Sequence, residues 1–98
     1  KKDDHYFYWY VPSSSEQPDK DPLVLWLTGG PGGPSTLALL SENGPCLVQP
    51  DATGKLNEHT WSSNANVIWL DQPTNVGFSY GLPEDEDSTS ADVGENIF

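Results

Sequence analysis

Two short apolar runs stand out from a chain that is mostly polar. Residues 23–27 read LVLWL and residues 66–70 read NVIWL. Continuous apolar runs of this length are typical of strands that are covered on both faces, as in a sheet flanked by helices. The aromatic-rich segment 5–11 (HYFYWYV) predicts a further strand. The polar, proline-bounded turn that follows it predicts a hairpin into the strand at 23–27.

Two helices are expected beside these strands. The segment Ser35–Ser41 (STLALLS) fits two helical turns, with Ser35 as the predicted N-cap and the Asn-Gly-Pro at 43–45 as the end of the helix. A second helix is predicted to begin near Thr89, because Thr89 and Asp92 have the spacing of a capping box. Between the first helix and the strand at 66–70, we predict a small excursion with one turn.

A glycine-rich loop, TGGPGGPS, follows the strand at 23–27 directly. Glycine has no Cβ, so such a loop can present bare backbone N–H groups to a ligand. It lacks the Gly-Lys-Ser/Thr ending of a phosphate-binding P-loop and the glycine spacing of a dinucleotide-binding motif. Two interpretations stay open at this point: a structural turn, and a loop of backbone donors such as the one that supplies oxyanion N–H groups in α/β hydrolases.

Charge and cysteine content exclude several classes of function. Four basic residues against fifteen acidic ones give a net charge of −11. Such a chain cannot neutralise a run of phosphates, which argues against a nucleic-acid partner and against an anionic membrane surface. Cys46 is the single cysteine, and with His5 and His59 it makes no metal-binding pattern. The acidic run at 84–87 lacks the spacing of a calcium loop and is expected to be a solvated turn.

The segment 77–81 (GFSYG) matches the G-x-S-x-G pattern of a nucleophile elbow. In a true elbow, a strand ends at the serine and a helix begins immediately after it. Here the predicted strand ends near Leu70, and Pro83 follows the pattern. We therefore predict that Ser79 is not a catalytic nucleophile.

Four segments together resemble a known family. They are LWLTGGPGGPS, the ENGP at 42–45, the LVQPD at 47–51, and ANVIWLDQP followed by VGFSY. In this order and spacing they resemble the N-terminal part of the serine carboxypeptidases, which are α/β hydrolases. The resemblance implies an α/β fold with a mixed sheet and flanking helices. It also implies that residues 1–98 are an incomplete, N-terminal fragment of one such domain, which needs the rest of its parent chain.

The resemblance also implies a function and its residues. The parent would be a serine-type carboxypeptidase that hydrolyses C-terminal amino acids from peptides or proteins, without a metal or cofactor. Its catalytic serine, aspartate and histidine would lie beyond residue 98, so the 98-residue chain alone is expected to be inactive. Gly30 would donate its N–H to the oxyanion, while Thr28, Gly29 and Glu42 would bind the substrate's C-terminal carboxylate. The implied compartment is lysosomal, vacuolar or extracellular.

Three departures from the family pattern keep an alternative open. Thr28 replaces an asparagine, so a single hydroxyl stands in for an amide with two donors. Gly33 and Pro34 replace a Cys-Ser pair, and Asn75 stands where the family prefers glycine. The alternative is a non-catalytic remnant, or a diverged carboxypeptidase-like relative that binds ligands or transfers acyl groups.

Overall fold

A computed structural model describes residues 3–83 and 89–97. The strands in these residues are β1 (Tyr8–Val11), β2 (Leu23–Trp26), β3 (Cys46–Val48), β4 (Gly54–Leu56) and β5 (Asn66–Leu70). The helices are α1 (Ser35–Ser41) and α2 (Ser90–Ile97), and two short 3₁₀ turns cover Pro18–Lys20 and Trp61–Ser63. The predicted bounds of α1 and β5 are confirmed, whereas β1 begins later than predicted. The acidic run at 84–87 lies outside the described residues.

Strand β5 lies at the centre of a mixed three-stranded sheet of order β1-β5-β2. It pairs antiparallel with β1 and parallel with β2. The predicted hairpin between β1 and β2 is therefore wrong, because β5 is inserted between them. A parallel pair cannot be joined by a tight turn and needs a crossover, and the crossover from β2 to β5 contains α1.

Burial differs between the two apolar runs. Val67 and Trp69 of β5 are completely buried. In β2, by contrast, Leu23 and Leu25 are 66% and 45% exposed, while the alternate side chains of Val24 and Trp26 pack against the core. The expectation that β2 is covered on both faces is thus wrong for this chain, since the face that carries Leu23 and Leu25 is exposed among the described residues.

Helix α1 covers the inner face of β5. Ala38 and Leu39 join Ala65, Val67 and Trp69 in the core of the described part of the chain. The helix ends at Ser41 with Glu42 as its C-cap, and any Cβ on the nearby Gly44 would collide with the carbonyl group of Leu39. Asn43 also accepts a hydrogen bond from the indole Nε1 of Trp69 at 3.0 Å. This bond joins the end of α1 to β5.

The start of α1 differs from the sequence prediction. Ser35 is the first helical residue rather than the N-cap, and Pro34 occupies the cap position without a side-chain capping bond. The Ser35 hydroxyl instead accepts a hydrogen bond from the backbone N–H of Thr28 at 3.0 Å. Ser35, which was expected only to cap the helix, therefore joins the helix to the glycine-rich loop.

A β3–β4 hairpin forms where the sequence predicts an excursion with one turn. Its turn is held by Asp51, whose carboxylate accepts hydrogen bonds from the Thr53 hydroxyl at 2.6 Å and the Thr53 N–H at 3.1 Å. These bonds stabilise the charged form and lower the pKa of Asp51 below its ordinary value.

The predicted capping box of α2 is confirmed. The Thr89 N–H donates to Asp92 Oδ2 at 3.0 Å, and the Asp92 N–H donates to Thr89 Oγ1 at 3.2 Å. Within the ranges 3–83 and 89–97, no helix has the length and apolar character needed to cross a bilayer.

Residues 1–98 expressed alone are expected to lack a cooperative fold. The core described above is small, the leucines of β2 are exposed, and the net charge of −11 opposes compaction. We expect a broad thermal transition by circular dichroism and strong binding of the dye ANS. A sharp transition together with dispersed amide NMR signals would contradict this prediction.

Candidate functional site

A groove of about 810 Å³ lies at the carboxyl end of β2. The glycine-rich loop forms one wall, and Val93, Gly94 and Ile97 of α2 contribute to another. Three of the four predicted site residues line this groove, namely Thr28, Gly29 and Gly30. Glu42 does not line it; it lies at the exposed C-terminal end of α1.

The loop has a backbone that glycine adopts more readily than other residues. Gly30 has a φ of +155° and Gly32 a φ of +83°. A Cβ on Gly30 would lie 2.9 Å from the backbone nitrogen of Gly33, a distance too short for an ordinary contact. Within the described part of the chain, neither Gly29 nor Gly30 uses its N–H in a hydrogen bond. The tightly folded loop therefore leaves the backbone N–H groups of Gly29 and Gly30 without partners beside the groove.

Position 33 of the loop also has no room for a side chain. A Cβ at this position would lie 2.5 Å from the carbonyl oxygen of Gly29 and 3.1 Å from Thr28 Cγ2. The loop conformation of this chain therefore does not accept the cysteine that the serine carboxypeptidase pattern has here. Glycine in place of cysteine at position 33 therefore fits the tight loop.

Thr28 is held by three hydrogen bonds within the chain. Its N–H donates to the Ser35 hydroxyl, and its carbonyl oxygen accepts from Gln72 Nε2 at 3.4 Å. Its hydroxyl oxygen accepts from the indole Nε1 of Trp26 at 3.0 Å. The position of Thr28 beside the groove is thus determined by β2, α1 and the segment after β5.

The carboxylate of Asp71 holds the first turn of α1 in place. Asp71 follows β5 directly and is completely buried. Its carboxylate accepts hydrogen bonds from the Thr36 N–H at 2.9 Å and from the Phe78 N–H at 3.1 Å, and the Thr36 hydroxyl donates to it as well. This role of Asp71 was not predicted from the sequence. The signal was an acidic residue placed immediately after a buried apolar strand.

Ser79 is a structural residue in this fold. It is 3% exposed, its hydroxyl donates to the backbone carbonyl of Asp71 at 2.6 Å, and its oxygen accepts from the Phe7 N–H at 2.9 Å. β5 ends at Leu70, and Tyr80 makes an isolated β-bridge to His5 where an elbow would begin a helix. The structural context of a nucleophile elbow is therefore absent around Ser79.

Asn75 occupies a backbone conformation that favours glycine. Its φ is +68°, a region that asparagine tolerates better than most other residues. Its side-chain oxygen also accepts a hydrogen bond from the Gly81 N–H at 3.2 Å. This departure from the serine carboxypeptidase pattern is accommodated by the geometry of the loop.

Comparison with known proteins decides the family. The family model described as serine carboxypeptidase matches residues 1–98. The chain belongs to the serine carboxypeptidase family. Carboxypeptidase Y homolog A from Phaeosphaeria nodorum is 44% identical over 98 residues, which are 100% of this chain and 18% of that protein. Carboxypeptidase Y from Saccharomyces cerevisiae is 44% identical over 97 residues, 99% of this chain and 18% of that protein.

A solved structure supports the same assignment. The crystal structure of Kex1Δp, a prohormone-processing carboxypeptidase from Saccharomyces cerevisiae, matches 94% of this chain with a TM-score of 0.79 and 36% identity. The match covers 21% of the Kex1Δp chain. The prediction of a partial α/β-hydrolase architecture with a mixed sheet is confirmed. This serine carboxypeptidase chain thus spans about a fifth of the length of the relatives that it matches.

Asp71→Asn is expected to destabilise the protein strongly. The new amide must turn one NH₂ group toward an N–H donor, either that of Thr36 or that of Phe78, and a buried donor loses its acceptor. We expect the free energy of unfolding, measured by urea denaturation of the complete protein, to fall by about 2–4 kcal/mol.

Asp51→Asn is the matched control. Asp51 also accepts a backbone N–H and a hydroxyl, but it lies on the surface of the β3–β4 turn. This variant is expected to change the free energy of unfolding much less than Asp71→Asn does. Equal losses in the two variants would contradict the anchoring role of Asp71.

Proposed function

We propose that this chain contributes the oxyanion-binding loop and part of the C-terminal carboxylate site to a serine-type carboxypeptidase. The reaction is hydrolysis of the C-terminal amino acid from peptides or proteins. The observation that carries this proposal is the pair of uncommitted N–H groups at Gly29 and Gly30 beside the groove, in a chain of the serine carboxypeptidase family. The catalytic serine, aspartate and histidine are proposed to lie outside residues 1–98.

The Gly30 N–H is proposed to stabilise the oxyanion of the tetrahedral intermediate. Donors that are fixed before the reaction stabilise the developing charge without reorganisation, and loss of one such donor typically costs roughly 10²–10³-fold in rate. The tight contacts around Gly30 supply this fixed position, because the loop leaves no room for a Cβ there.

Carboxylate recognition is assigned to the Thr28 hydroxyl and the Gly29 N–H, with Glu42 as a further member. Since Glu42 lies outside the groove wall, its contribution depends on segments that complete the site around α1. On the family resemblance, the proposed location is lysosomal, vacuolar or extracellular.

The second candidate is a diverged relative that binds carboxylates or transfers acyl groups without peptidase activity. Thr28 favours it, since one hydroxyl replaces the two donors of an asparagine amide. In this case the complete protein would bind C-terminal carboxylates but would not release amino acids.

A fluorophosphonate probe tests the proposed function. In the complete protein, we expect stoichiometric labelling of a serine outside residues 1–98, and we expect Ser79→Ala to retain that labelling. A serine without an activating base is a poor nucleophile, so residues 1–98 alone should be neither labelled nor active. Labelling that mass spectrometry maps to Ser79 would overturn this assignment, and absence of labelling in the complete protein would favour the second candidate.

A further inference from the structure

Gln72 reaches from the segment after β5 to the start of the glycine-rich loop. Its side-chain Nε2 donates to the backbone carbonyl of Thr28 at 3.4 Å, and no other side chain among the described residues donates to this oxygen. Gln72 follows Asp71 directly, and Asp71 is held both by its buried carboxylate and by its backbone. The donor that reaches Thr28 therefore starts from a fixed point of the fold.

The carbonyl that Gln72 holds belongs to the same peptide unit as the N–H of Gly29. The Thr28–Gly29 peptide is trans. A trans peptide is planar, so its C=O and its N–H point in opposite directions. The direction of the Thr28 carbonyl therefore determines the direction of the Gly29 N–H.

Little else in the described chain restrains this peptide unit. The N–H of Thr28 is bonded to the Ser35 hydroxyl, which fixes the preceding peptide unit instead. On the other side come two glycines, whose backbone angles have a wide range. A Cβ on Gly29 would meet no atom within 4 Å, so no other part of the described chain packs against it there. The bond from Gln72 is thus the restraint that keeps the Gly29 N–H in one direction.

We propose that Gln72 is a positioning residue that directs the Gly29 N–H at the carboxylate of a substrate. This inference rests on the proposed function of the loop. A carbonyl oxygen only accepts hydrogen bonds, so the amide of Gln72 must turn its NH₂ group toward Thr28. An ionised glutamate has the same shape but offers only acceptors, which the carbonyl oxygen would repel. The role therefore requires the amide nitrogen of Gln72 and not only its size.

The test measures binding to the complete protein, so that it does not depend on turnover. The ligands are N-acetyl-L-phenylalanine and its amide, and their dissociation constants are measured by calorimetry. A backbone N–H bonds more strongly to a carboxylate than to the carbonyl oxygen of an uncharged amide. The measured quantity is the preference for the acid, which is the dissociation constant of the amide divided by that of the acid.

Gln72→Met keeps the length of the side chain and removes the amide. We expect it to lower the preference for the acid about 5–10-fold, because a misdirected N–H loses one charge-assisted bond. Gln72→Glu should lower the preference at least as much. Gln17→Met is the matched control, since Gln17 is exposed in the segment between β1 and β2. It should change the preference by less than about twofold.

The outcomes separate this inference from the proposed function. A wild-type preference that both Gln72 variants leave unchanged would contradict the role of Gln72 alone. So would an equal weakening of acid and amide, which is the result expected from lost packing. A wild-type protein without any preference would overturn the carboxylate site itself and this inference with it. Selective binding of the acid without fluorophosphonate labelling would contradict only the peptidase assignment.

NMR of the wild-type protein supplies a second test that does not need the variants to fold. Addition of the acid, and not of the amide, should shift the amide signal of Gly29. The side-chain NH₂ signals of Gln72 should shift less, because this group bonds to Thr28 and not to the ligand. An unchanged Gly29 signal, or a larger shift at the Gln72 NH₂ group than at Gly29, would be incompatible with the positioning role.

Discussion

The buried carboxylate of Asp71 is the interaction on which the rest of this structure depends. A buried carboxylate is tolerated when its oxygens accept hydrogen bonds, and Asp71 meets this condition with donors from Thr36 and Phe78. Its backbone is used as well: the Asp71 N–H donates to Phe7, and its carbonyl accepts from Ser79. The start of α1, the loop after β5 and the segment before β1 must therefore come together for any one of them to be stable.

This constraint extends to the groove through the first turn of α1. Asp71 fixes Thr36, the adjacent Ser35 accepts the N–H of Thr28, and Thr28 begins the glycine-rich loop. The backbone N–H groups of Thr36 and Thr28 are thus hydrogen-bonded, whereas those of Gly29 and Gly30 are left without partners in the described chain. Donors that are fixed but unpaired are suited to bind an anionic ligand, and here they occur next to a concave surface.

The departures from the family pattern have structural causes of different kinds. Gly33 fits a loop that has no room for a Cβ, and Asn75 tolerates a positive φ while bonding to Gly81. Thr28 differs from both, because its substitution changes the chemistry of a groove-lining side chain. The bond from Trp26 gives this position a defined orientation that a lone hydroxyl would lack.

Local features of this protein were determined by the sequence. The bounds of β5 and α1 follow from short apolar and helical patterns, and the Thr89–Asp92 capping box depends on residues three apart. The order β1-β5-β2, the exposure of β2 and the role of Ser35 were decided by the tertiary structure. Strand partners and buried hydrogen bonds join residues distant in the chain, and which of them meet depends on how helices and strands bury their apolar faces together. For this reason the glycine loop could be identified from its residues, whereas the partners of the Asp71 carboxylate, Thr36 and Phe78, could not.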